Sequence, residues 1–529
     1  MSITSFSFVI FLFALLLVYY LVPKKAQWLV LLAASGVFYL SCGVKNSLFI
    51  LVTALSIYGA ALGLDALEKQ RKQTMAANKA TWSKEEKAQY KNRNKAQRKA
   101  VLVICLLLNF GIMCFFKYFH FALEQINSVI DVLGGTVIPD RFSFIIPLGI
   151  SFYTFQAVGY LVNVYWGNAK AERSFLKLLL FVSFFPQVTQ GPISEYDQLS
   201  SQLFSEHSFK AENYTLGFQR MLWGFMKKMV LANLLAPYVQ DVFANYGNYS
   251  GITCLIGAFA YSVQIYADFS GYMDIMCGLC QMLDIRLTEN FLRPYFSKSI
   301  AEYWRRWHIS LGAWFKSYIY YPIAVSKWNM KLGQKVQKKF GKAVAKNLPA
   351  SIALVAVWFC TGFWHGASWA YIAWGGVNGL FIIFSMWMEP VYEGWKRTLR
   401  INESTWLWRA FQTVRTFILV TFIKVLPEVG TLSEGFGLWA RIFTDYSIHR
   451  SLNALLPFAT DKLELLVIIG LTVLLFVTSL MQRKKPIREY FGRLPMPLRT
   501  VVLSMILMGI LIFGVPATSS NGGFLYAQF

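Results

Sequence analysis

"SLFILVTALSIYGAALGL", residues 47–64, is an apolar run with no charged side chain. A run of about 18 such residues is long enough to cross a bilayer as a helix. Similar runs lie within residues 5–22, at "LLVIIGLTVLLFVTSLM" (465–481) and at "RTVVLSMILMGILIFGV" (499–515). The composition agrees: 56% of the 529 residues are hydrophobic and 15% charged, where soluble chains carry roughly 25%. The pattern predicts an all-α polytopic membrane protein with roughly 11 transmembrane helices of about 20 residues each. The first run lacks a basic leader and a small-residue cleavage site, so it reads as a retained helix.

Proline and glycine interrupt several middle runs, as in "IIPLGISFYTF" (145–155) and "LFVSFFPQVTQGPI" (180–193). Irregular backbone at membrane depth is tolerated only inside protein or beside water. Broken or re-entrant segments around a central tunnel are therefore expected. No repeat or polar linker divides the chain, so residues 1–529 read as one membrane-embedded domain.

The net charge of +24 is concentrated in residues 24–25, 65–99, 326–347 and 482–493, between apolar runs. That distribution argues against a nucleic-acid partner and follows the positive-inside rule. The basic segments read as solvated cytoplasmic loops touching anionic lipid headgroups, with both termini outside a plasma or inner membrane. Cys277 and Cys280, in "CGLC", sit in apolar sequence and read as small buried hydrophobes. No metal site and no phosphate-cradling P-loop is found.

Five histidines occur. His207 and His449 lie in polar stretches and read as solvated, and His120 reads as interfacial. His308 lies in "WRRWHISLGAWFKSYIYYP" (304–322), beside Trp304, Arg305, Arg306 and Trp307. His365 lies in "TGFWHGASWAYIAWGGVNG" (361–379), among tryptophans and small residues, 19 positions past Lys346. Ionisable groups at membrane depth are functional candidates by default; for each histidine the bland alternative is a neutral ring satisfied by a backbone carbonyl. "QIYADFSGYMD" (264–274) adds Asp268, Ser270, Tyr272 and Asp274. These read as residues that shape an acceptor cavity, orient the histidines or brace a kink at Gly271.

The two histidine strings resemble the histidine-bearing signatures of the membrane-bound O-acyltransferase family. "PLGISFYTFQAVGYLVNVYWG" (147–167), "FFPQVTQGPISEYDQL" (184–199) and "VQIYADFSGYMDIMCG" (263–278) agree in order, and the likeness covers roughly residues 145–390. It is greatest to the bacterial branch that includes alginate and peptidoglycan O-acetyltransferases. The resemblance implies that His365 is the catalytic histidine and that His308 holds the family's second position. It also implies an acyl thioester donor such as acetyl-CoA, with no bound cofactor, and an extracytoplasmic glycan reached through an esterase-like acceptor protein. The alternatives are a teichoic-acid D-alanyl transferase and, in another class, a non-catalytic polysaccharide transporter.

The chemistry suits those residues. A positioned imidazole titrates near neutrality and can take a hydroxyl proton. Burial among Trp364, Trp369 and Trp374 disfavours the imidazolium. Gly362, Gly366, Ala367 and Ser368 permit close approach of substrate or of another helix. Arg305 and Arg306, with Trp304 and Trp307, are candidates for gripping the donor's phosphates, against a plain role as interfacial anchors. The terminal "FLYAQF" (524–529), within residues 522–529, resembles a carboxyl-terminal aromatic motif of relatives or their small partners. Tyr526 is there an acyl-relay candidate, against an aromatic anchor at the interface.

The lysine and arginine distribution makes a direct prediction. In a cysteine-depleted background, an impermeant thiol reagent added outside should label a cysteine appended after Phe529 and spare one placed beside Lys338. The reverse pattern would invert the sidedness.

Overall fold

The computed structural model describes residues 1–142, 146–447, 462–483 and 487–515. These residues are largely helical, and among them the β-type pairing is one isolated bridge, Phe291 to Trp307. Two compact units form. The first contains Met1, Phe6–Tyr214 and Cys280–Leu287; the second contains Ser2–Ser5, Thr215–Leu279 and the described residues from Thr288 onward.

In the first unit the helices are α1 (Phe6–Leu21), α2 (Gln27–Ser41), α3 (Val44–Ala77), α4 (Lys84–Val132), α5 (Ile150–Trp166), α6 (Phe175–Ser183) and α7 (Tyr196–Leu203). α3 packs against α4, α5 and α6. The basic stretch 65–99, expected as a loop, is mostly helix: α3 continues to Ala77 and α4 begins at Lys84. The residues explain it. Ala, Glu, Lys, Gln and Arg are strong helix formers, and Asp65–Lys69 and Glu68–Arg71 pair along one face at 3.0 and 2.5 Å. Ser83 then caps α4 reciprocally with Glu86, satisfying amides that the first turn leaves open. His207, expected to be solvated, is instead buried. Its backbone N–H donates to Gln27 Oε1 at 2.9 Å, and its ring Nε2 lies 2.7 Å from the Gln202 carbonyl. His449 falls outside the described residues.

The second unit begins within α8 (Ala211–Phe225), which widens into a π-type turn at Met226–Ala232. There follow α9 (Asn233–Ala244), α10 (Gly251–Met282), α11 (Ile300–Trp304), α12 (Ile309–Phe315), α13 (Lys327–His365), α14 (Trp369–Thr398), α15 (Trp406–Val425), α16 (Leu432–Thr444), α17 (Lys462–Met481) and α18 (Met496–Phe513). The lysine segment 326–347 also proves helical, broken at Gly341 where φ is +84°. α10 runs as helix through Gly271, where a kink was expected. Glycine serves close packing there: a Cβ on Gly271 would meet Gly224 O at 2.9 Å, and one on Gly224 would meet Gly271 O at 2.6 Å.

Among the described residues seven helices are long and apolar enough to span a membrane, and α1 is apolar but shorter. The chain is an all-α, multi-pass membrane protein. Where the sequence pattern led to an expectation of roughly 11 crossings of about 20 residues, part of the apolar sequence lies in short helices such as α6 and the turn Phe185–Val188. The proline and glycine breaks account for them.

Candidate functional site

His365 is the last residue of α13. Gly366 turns extended, and Ser368 caps α14 by accepting from the Tyr371 N–H at 3.3 Å. α13 and α14 pack closely because glycines face each other: a Cβ on Gly362 would stand 2.6 Å from Tyr371 O, and one on Gly375 2.5 Å from Trp358 O. Small residues at a membrane helix interface permit such an approach.

His365 is buried, and its Nδ1 lies 2.7 Å from the Thr361 carbonyl oxygen. A carbonyl only accepts, so Nδ1 carries a proton, and in the neutral tautomer this selects, Nε2 is the basic nitrogen. Trp374 and Trp364 flank it at 4.7 and 5.0 Å between ring centroids. Trp304 stacks edge-on to Trp374 at 5.5 Å and donates to Asn378 Oδ1 at 3.0 Å.

His308, also buried, precedes α12 with φ 48° and ψ 54°. This left-handed conformation is uncommon and costly for a residue with a Cβ, and such strain concentrates at functional sites. Residues 290–292 hold it there. Ile309 N–H donates to Asn290 O at 3.2 Å, Leu292 N–H to Arg306 O at 3.0 Å, and Ser310 N–H to Asn290 Oδ1 at 2.8 Å. The His308 ring lies 4.9 Å from Phe269 and 6.3 Å from Trp364. Trp364 thus neighbours both imidazoles.

The α10 residues take a different part. Asp268 forms a buried ion pair with Lys228. Lys227 donates to Ser270 Oγ at 2.8 Å and to Asp274 at 2.7 Å, while Arg220 reaches Asp274 at 2.8 Å. Tyr272 is fully buried. Arg305 is exposed, and Arg306 pairs with Glu302 at 2.5 Å. Tyr526 lies outside the described residues.

Sequence reading missed Lys227, Lys228, Lys424 and Glu428. Lys424, on α15, sets its ammonium 3.7 Å from the Trp307 ring centroid, with Tyr295 and Tyr303 at 4.8 and 5.2 Å. It also donates to the Tyr295 hydroxyl at 2.9 Å. Glu428 accepts from the Tyr371 hydroxyl at 3.1 Å, beside the break at His365. A usable signal was present: "MKKMV" (226–230) and "FIKVLPE" (422–428) carry charge inside apolar runs. Among the described residues no three His, Cys, Asp or Glu side chains converge as a metal site.

The site is thus that of an integral-membrane protein with two buried histidines, one with a defined basic nitrogen. The sequence model of the membrane-bound O-acyltransferase family matches residues 169–423. A probable alginate O-acetylase of Azotobacter vinelandii is 32% identical over 427 residues, 80% of this chain and 74% of that protein. A peptidoglycan O-acetyltransferase of Helicobacter pylori is 30% identical over 317 residues, 55% of this chain and 56% of its own. A teichoic acid D-alanyltransferase of Streptococcus thermophilus is 27% identical over 249 residues, 46% of this chain and 57% of its own. The chain belongs to the membrane-bound O-acyltransferase family, and it is an O-acyltransferase enzyme.

The buried Lys228–Asp268 pair makes its own prediction. Lys228→Met alone removes the buried cation facing Asp268 and should cost about 3–5 kcal/mol, whereas Lys228→Met with Asp268→Leu should recover much of that. Thermal unfolding in detergent measures both. A double variant no better than the single would show that the pair is not coupled.

Proposed function

We propose that the protein transfers an acetyl group from a cytoplasmic thioester, acetyl-CoA or a carrier-bound acyl group, to a hydroxyl of an extracytoplasmic polysaccharide or peptidoglycan. His365 is the general base in this reading. The observation that carries it is the Nδ1–H bond to the Thr361 carbonyl, which leaves Nε2 as the proton acceptor in an aromatic, water-poor surrounding. Nε2 takes the proton of the Tyr526 phenol, the acyl relay, as its oxygen attacks the thioester carbonyl. The tetrahedral adduct then collapses, the C–S bond breaks, and the imidazolium returns the proton to the leaving thiolate.

The remaining assignments belong to the same proposal. His308, in a strained turn on the other side of Trp364, orients the reacting groups. Arg305 and Arg306 serve the donor's phosphates from the cytoplasmic side, with Trp304 and Trp307 beside them in the chain as further donor contacts. Asp268, Ser270 and Tyr272 orient the histidines through their helix. Residues 1–529 act as one acyltransferase domain in a plasma or inner membrane, with both termini outside and an esterase-like protein as the onward acetyl acceptor. Glycan acetylation is favoured by the names of the Azotobacter and Helicobacter relatives, each at 30% identity or above. D-alanyl transfer ranks second, because its alignment is weaker and covers 46% of the chain. Family membership sets aside the non-catalytic transporter.

His365→Gln should remain inserted and monodisperse while lowering transfer from labelled acetyl-CoA by roughly 10²–10⁴-fold. Near-normal transfer by a folded variant would remove His365 from the mechanism.

Tyr526 is the proposed relay. Attack of its phenol on the thioester gives a phenyl ester, which retains high transfer potential because a phenol has a pKa near 10. The acceptor hydroxyl then displaces the phenol. Tyr526→Phe keeps the aromatic body and removes only the hydroxyl. Acceptor acetylation should collapse in this variant with insertion unchanged, and its survival would make Tyr526 an anchor.

A further inference from the structure

A cavity of about 540 Å³ lies wholly within the second unit, bounded by α8, α10, residues 289–293, α17 and α18. Its polar lining has four cations, Arg220, Lys227, Arg293 and Arg488, against two carboxylates, Asp274 and Glu289. Both carboxylates are already engaged: Arg220 bridges Asp274 at 2.8 Å and Glu289 at 2.6 Å, and Lys227 holds Asp274 at 2.7 Å. Arg293 itself is held with φ at +50°, a conformation that costs energy for a residue with a Cβ. The lining therefore carries a net positive charge.

The rest of the lining is aliphatic. Leu474 and Leu475 come from α17, and Val502, Leu503 and Ile506 from α18. α18 buries none of its residues, so its outer face meets acyl chains of the bilayer. Residues 474–506 lie beyond the part matched by the family's sequence model, which ends at 423. Cations beside an aliphatic wall, next to lipid-facing helices, match a molecule with an anionic head and a hydrocarbon tail.

We infer that this cavity binds one anionic phospholipid, its phosphate between Arg293 and Arg488 and an acyl chain along Leu475, Leu503 and Ile506. Guanidinium groups pair with phosphate oxygens through two parallel hydrogen bonds, and the aliphatic lining gains from covering the chain. A phosphorylated thioester carrier offers the same phosphate. Its polar amide arm is poorly matched to this lining. The cytoplasmic placement of residues 482–493 by their charge sets the cavity at the leaflet where anionic lipids collect. The inference does not depend on the role of His365.

The test uses the full chain in nanodiscs of phosphatidylcholine with a minority of phosphatidylglycerol, followed by native mass spectrometry in mild detergent. The wild type should retain one phosphatidylglycerol per chain in preference to phosphatidylcholine. Arg293→Gln with Arg488→Gln should weaken retention by about tenfold or more. Leu503→Trp, which fills the aliphatic part and keeps both arginines, should abolish it independently. Unfolding temperatures in pure phosphatidylcholine discs show whether each variant is folded, and either folded variant decides the matter. Were neither folded, wild-type preference for phosphatidylglycerol that added CoA leaves unchanged would be the supporting result. Equal retention by wild type and a folded variant overturns the proposal. So does equal retention of the two lipids, or displacement by CoA, which would make the cavity the donor's.

Discussion

A histidine at the end of a helix reaches the carbonyl four residues back only while the helix stays regular up to it. His365 meets that condition, and its ring takes the Thr361 carbonyl at 2.7 Å. The helix must then stop at once, or the ring would be packed along a continuing cylinder. Gly366 provides the stop by turning extended, and Ser368 restarts the chain as the cap of α14. That return is possible because Gly362 and Gly375 let two backbones approach where a Cβ would clash. The return of the chain after His365 therefore rests on glycine spacing, while the Nδ1–H bond itself lies within α13.

His308 is held by other means. Its left-handed backbone is not favoured locally, so the surroundings must impose it. Residues 290–292 do so on one side through three hydrogen bonds. On another, Lys424 sits under Trp307, the residue just before it. An ammonium over an indole recovers part of the hydration it has lost, and the Tyr295 hydroxyl supplies a further acceptor. Four residues on, Glu428 holds Tyr371 against the His365 break. The end of α15 thus braces the approaches to both histidines.

Much of this was legible in the sequence, for identifiable reasons. Uncharged runs such as residues 47–64 declare membrane helices by length alone, and the two histidine strings stand out because ionisable groups are rare in such company. Other features were hidden. Hydropathy reports polarity and not conformation, so residues 65–99 and 326–347 read as loops although their alanines and lysines favour helix. Averaging over a window also hid Lys227 and Lys228, whose ammonium groups are matched by Asp274 and Asp268 on α10. The strain at His308 has no local signature, since it depends on Asn290, 18 positions earlier.

The buried charges point to a division of labour along the chain. Each carboxylate among Asp268, Asp274 and Glu428 has a cation or a hydroxyl donor within reach, as desolvation demands. Such pairs contribute little net stability compared with apolar packing, but they tolerate almost no displacement, because a separated charge inside protein is costly. They therefore fix α8 and its π turn against α10, and α15 against the histidine turns, more sharply than leucine contacts would. α17 and α18, whose candidate spans are mostly unburied, show no ion pairs among their described residues; α17 meets the core through aliphatic contacts around Leu475, and α18 packs against the π turn. Rigidity is concentrated where two imidazoles must keep their geometry, and the looser apolar packing lies at the lipid-facing edge, where the cavity is found.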